Sequence, residues 1–119
     1  MNAIRMRVAC FTALFSLATI AYAADTPFAS SSELRAAMEE TASTGDADAF
    51  WRRVLAHRTM PLVSGERAVF LWRGAAKSVD WRGDFSGWQQ RPETAGRRLG
   101  ATDIWVNERM FPRTARLDY

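Results

Sequence analysis

Four of the five tryptophans fall in three short blocks: Ala-Val-Phe-Leu-Trp-Arg at 68–73, Trp-Arg-Gly-Asp-Phe-Ser-Gly-Trp at 81–88 and Ala-Thr-Asp-Ile-Trp at 101–105. Glycines separate the blocks, and this layout restricts the fold more than any other feature. Bulky aromatics in short runs need a pleated surface to pack on, and glycine turns let such runs fold back on one another. In the first block Ala68, Phe70 and Trp72 point one way and Val69 and Leu71 the other. Both sides are apolar, so a strand covered on both faces is expected.

The remaining segments continue the pattern. Ser78–Arg82 alternates, with Val79 and Trp81 inward and Ser78, Asp80 and Arg82 outward. Arg97–Leu99, Ile104–Met110 and Thr114–Tyr119 read as further strands, the last two separated at Pro112. Gly74–Lys77 reads as a hairpin-type connection, Gly83–Gly87 as a turn, Gln89–Gly96 as a loop and Gly100–Asp103 as a second turn. In the first turn Asp84 can bond the backbone ahead, and Gly83 and Gly87 both permit positive φ. Short strands with glycine turns predict a mainly β fold, an immunoglobulin-like β-sandwich over residues 64–119. Trp72, Trp81 and Trp105 are its expected core.

Before residue 64 the period is helical. Ser31 or Ser32 can cap a helix from about Glu33 to Ala42, which Thr44-Gly45 breaks. Asp46 offers a second cap and Asp48 an acidic first turn. Phe50, Trp51, Val54 and Leu55 then recur on one face, a plausible docking surface for the sandwich or for another domain. Pro61 ends the helical region and sends Leu62-Val63 out as an extended segment. Residues 24–63 thus form a linker and helical extension.

Residues 1–23 read as a signal peptide: Arg5 and Arg7, an uncharged and mostly apolar stretch from Val8 to Tyr22, then Ala21-Tyr22-Ala23 at the cleavage position. A retained N-terminal anchor is the alternative. Cleavage predicts a periplasmic or secreted protein without a membrane segment, and it removes the single cysteine, Cys10. The 96 residues left from 119 then rely on burial alone, without disulfides. They carry 14 basic and 13 acidic residues, close to neutrality, with the arginines scattered rather than in a run. The isoelectric point of 9.7 therefore does not support a nucleic-acid partner. Leu117-Asp118-Tyr119 reads as mid-strand, so a sandwich incomplete at its C-terminus is expected.

Two resemblances rest on these motifs. Val79 to Trp88 is similar to the Gly-Asp-Phe-Asn-x-Trp signature of early-set, glycogen-binding modules (carbohydrate-binding module family 48), with Ser86 where the family has Asn. Ile104-Trp105, Phe111-Pro112 and Tyr119 fit the same layout. Phe50–Val54, Met60-Pro61-Leu62, Phe70–Arg73 and Thr102–Trp105 resemble the N-terminal domain of enterochelin-esterase-like proteins, in which such a sandwich precedes an α/β-hydrolase domain. This second resemblance spans most of the chain after residue 23. It implies a non-catalytic accessory domain whose partner is a C-terminal α/β-hydrolase domain; the first implies a glycan ligand such as an α-glucan.

The site residues follow from the chemistry. Trp88, at the end of a glycine-bounded turn, can offer its flat face to a sugar ring while Asp84, Gln89 and Gln90 bond the hydroxyls. Alternatively it folds back as a lid on the sandwich edge. His57 is the only histidine and lacks a second ligand or a carboxylate cluster, so a solvated or capping role is expected. No Gly-x-Ser-x-Gly occurs, and Ser86 reads as a turn serine. Neither catalytic residues, nor a metal site, nor a cofactor is expected within these 119 residues.

Overall fold

The computed structural model describes residues 26–119; the signal-peptide expectation lies outside them. Helix α1 spans Ser31–Thr44 and α2 spans Ala47–Ala56. Ser30 is the α1 N-cap, one residue before the expected serines, and its hydroxyl accepts from Glu33 N at 3.1 Å. Ser30 is the serine with a glutamate three residues on, and Glu33 reaches back to accept from Ala29 N at 2.8 Å. Gly45, at φ 76°, closes α1 and donates to Thr41 O. Asp46 caps α2 as the sequence predicts, accepting from Ala49 N at 3.4 Å.

Four strands follow: β1 (Leu62–Ser64), β2 (Arg67–Arg73), β3 (Arg97–Arg98) and β4 (Ile104–Met110). They form one antiparallel sheet in the order β1-β2-β4-β3. The central pair runs in register from Arg67↔Met110 to Arg73↔Ile104. Side chains therefore alternate between two covered faces. On one face Val69, Leu71, Ile104 and Val106 join Leu34, Met38, Phe50 and Val54 of the helices in the main core. On the other, Phe70 meets Trp81, Phe85 and Tyr119, with ring centroids 6.2, 5.9 and 5.2 Å away. Asn107 ties this cover to β4, donating to Glu93 O and Ala95 O at 3.0 and 2.9 Å.

The architecture is mixed α/β, a correction to the mainly β expectation. The two helices occupy one face of the sheet, and the opposite face is covered by an irregular segment. Ser78–Arg82 is not a strand: it makes one bridge, Asp80↔Ala95, supported by Trp81 N to Thr94 O at 2.9 Å and Gly96 N to Val79 O at 2.7 Å. Thr114–Tyr119 is not a strand either. Gly74–Lys77 joins no hairpin, because β2 pairs with β1 and β4 rather than with the segment that follows it. Trp81 and Trp105 are half-buried and buried, but Trp72 is 42% exposed. Its ring lies across Gly74, where a Cβ would stand only 2.4 Å from Cη2. The indole thus has a backbone ledge to rest on instead of the core.

Candidate functional site

The turn after Trp81 is built by Ser86. Its hydroxyl donates to Gly83 O at 3.1 Å and accepts from Gly83 N at 3.2 Å, and Ser86 is almost fully buried. A hydroxyl engaged on both sides by one turn is a structural group. Asp84–Ser86 forms a 3-10 turn that Gly87 ends at φ 60°. Gly83 is extended, at φ −175°, so its role is not the positive φ the sequence suggests. A Cβ there would lie 2.3 Å from Asp118 O, so glycine is required by the close approach of the C-terminal segment. Asp84 N donates to that same oxygen at 3.1 Å, and Asp118 N donates back to Asp84 Oδ2 at 3.2 Å.

Trp88 emerges from this turn 54% exposed, at φ 60°. Its Nε1 donates to Asp84 Oδ1 at 3.1 Å, which fixes the ring against the turn and leaves it open to solvent. Asp84 and Trp88 are therefore brought together. Gln90 accepts from Arg82 at 3.2 Å, and Gln89 is exposed. Beneath the turn Phe85 packs on Phe70 and Phe111, with the Arg109 guanidinium 4.9 Å from its ring centroid. The arrangement is an indole platform on an aromatic footing, bordered by amide and carboxylate groups.

The four residues of the α2 face divide. Phe50 and Val54 are buried in the chain's own core, and Val54 also forms part of the floor of an apolar trough. Trp51 is half-buried and Leu55 is 61% exposed. These two line that trough with Met60, Leu71 and Trp72, flanked by Arg58, Thr59 and Arg73. Trp72 and Met60 were not singled out by the sequence as surface residues; only the end of β1 pairing at Val69 marks the place. Beyond Val69, among the described residues, no strand pairs with that edge of β2. The trough runs along this edge.

His57 caps the C-terminal end of α2 and does more. Its Nε2 accepts from Phe28 N at 2.9 Å, and its ring stacks on Phe28 with centroids 5.7 Å apart. Partial burial, then the Arg53 charge, holds its pKa below the ordinary value of 6.5. Arg53 lies over the same Phe28 ring, 4.2 Å from its centroid, donates to Thr26 O and pairs with Glu33. That pairing, followed by the Ala29 amide, lowers the Glu33 pKa. Among the described residues no group of three or more His, Cys, Asp or Glu side chains is placed to hold a metal, and no helix is long and apolar enough to cross a membrane.

No protein-family model, curated protein or solved structure matches the chain.

Proposed function

We propose that the chain is a non-catalytic accessory domain of a secreted, enterochelin-esterase-like hydrolase, an early-set immunoglobulin-like unit that packs against an α/β-hydrolase domain and shapes access to its cleft. The observation that carries this reading is the trough of Trp51, Leu55, Met60 and Trp72 beside the unpaired edge of β2. Two large apolar side chains left in water next to free strand edge are the ordinary signature of a surface that another body covers. The antiparallel pair β2–β4 is compatible with one sheet of such a unit, and the irregular aromatic cover over Phe70 occupies the face on which its second sheet would pack.

The gene tests the proposal. An in-frame continuation past the Tyr119 codon that contains Gly-x-Ser-x-Gly, then an acid and a histidine, supports it. A stop codon there, with no hydrolase encoded nearby, removes it.

A second reading, a carbohydrate-binding module for an α-glucan-like polymer, is favoured by one specific observation. Trp88 is held exposed in a left-handed backbone conformation, with its indole N–H anchored on Asp84. Titration with soluble malto-oligosaccharides, followed by tryptophan fluorescence, separates the two readings. Saturable binding lost in Trp88→Ala supports the glycan module, and a flat titration leaves only the accessory domain.

A further inference from the structure

On the side of the molecule away from Trp88, α1 does not close fully onto the sheet. A half-open cavity of about 120 Å³ remains between them. Its wall is apolar: Phe28, Leu34, Met38, Leu62 and Val69, all buried. Its rim is polar, with Ser31, Ser64, Arg35, Arg67 and Glu108. Glu108 is already taken, by Arg67 at 3.1 Å and by Arg97 at 3.6 Å. Arg35 has no partner among the described residues, so the rim keeps one uncompensated positive charge. The histidine at the back, His57, is occupied by Phe28 N and contributes an acceptor rather than a charge.

We infer that this cavity is a binding site for a short aliphatic carboxylate, its alkyl tail among Phe28, Leu34, Met38, Leu62 and Val69 and its carboxylate on Arg35. Size sets the tail. A dry cavity of roughly 150 Å³ accepts the six carbons of benzene, so this one, at about 120 Å³, holds a tail of about five carbons. Lining sets the chemistry: an apolar wall rewards each methylene buried, and the Arg35 guanidinium at the mouth, beside an Arg67 already paired with Glu108, rewards one anionic head. Neither the accessory-domain reading nor the glycan reading is needed for this site.

The test is a chain-length series from propanoate to decanoate, below micellar concentrations, read on the Met38 methyl resonance of the purified protein with the Met60 methyl as control. Met60 lines the separate trough. Affinity should rise about fourfold per added methylene up to hexanoate, then stop rising once the cavity is full. Arg35→Ala, at an exposed position, should weaken hexanoate about fivefold and leave hexanol unchanged. Val69→Phe, which fills the cavity, should abolish the Met38 response. A rise that continues smoothly to decanoate, a response confined to Met60, or an absence of saturable shift at Met38 each overturns the inference. An unchanged hexanoate affinity in Arg35→Ala overturns the assignment of the head group.

Discussion

Trp88 is a residue whose placement costs free energy without the usual return. A non-glycine residue at φ 60° is strained by roughly 1–2 kcal/mol, and an indole 54% exposed recovers little of that by burial. The Trp88–Asp84 hydrogen bond offsets part of it, at about 1 kcal/mol. Trp88→Gly, which loses the bond but relieves the backbone, should therefore leave stability within about 1 kcal/mol of the wild type in urea unfolding. Trp88→Ala keeps the strain and should cost about 1 kcal/mol. His57 works in the opposite way, as a neutral acceptor that the fold depends on. The folded chain binds its proton less readily than the unfolded chain does. The stabilisation is therefore complete above the ordinary pKa of 6.5 and is lost as pH falls through the lowered folded-state value. The groups facing this cluster are Arg53 on α2 and Glu33 on α1, and they stay paired over that range because the Glu33 pKa is lowered. Protonation turns Nε2 into a donor facing the Phe28 N–H. The chain should be less resistant to urea at pH 5 than at pH 7.5, and His57→Ala should flatten that dependence.

At the scale of elements, α2 shows how one helix serves two purposes. Phe50→Ala should cost about 3–5 kcal/mol and Val54→Ala about 2–3 kcal/mol, because both leave cavities against β2 and β4. Leu55→Ala should stay within about 0.5 kcal/mol, since its side chain stands in water. Denaturant titration of the three variants checks the division. The helix itself, its Asp46 cap and the whole extent of β4 were legible, because each depends on local spacing: a cap three residues before the N–H it satisfies, or an unbroken β-prone run. What spacing cannot show is which element covers which. Phe50 and Leu55 look alike on a helical wheel; only the position of the sheet decides that one is enclosed and the other open. Ser78–Arg82 alternates like a strand, yet the loop that carries Thr94 and Ala95 offers it a single bridge. The Trp88 turn was legible as a turn and as an aromatic site, but the Asp118 contact that demands Gly83 is 35 residues away and left no local mark. Gly100 is the counterpart case in the turn before β4. Its φ of 58° and a Cβ position 2.5 Å from Ala42 O, on α1, combine a local and a tertiary demand. Gly100→Ala should therefore destabilise by more than about 2 kcal/mol, more than the left-handed backbone alone explains.

The described residues form a sheet of four strands between a helical layer and an irregular aromatic cover, and the Trp88 platform and the trough lie where those layers end. At the open edge of β2 the helical layer stops at Leu55 and the aromatic cover stops short of Trp72, so both side chains meet water along a strand edge that β1 leaves unpaired. The protein pays nothing in its own core to keep them there, which makes the trough separable from the fold. A Leu55→Glu, Trp72→Ser double variant should keep the melting temperature within about 4 °C of the wild type, since neither residue is enclosed. It should also bind less of an apolar fluorescent dye and sediment as a monomer at concentrations where the wild type associates. If the wild type is monodisperse and silent toward the dye, the trough is not an adhesive surface and the accessory-domain reading loses its support. If the double variant unfolds, the trough belongs to the core, and Leu55 and Trp72 hold the fold rather than a partner.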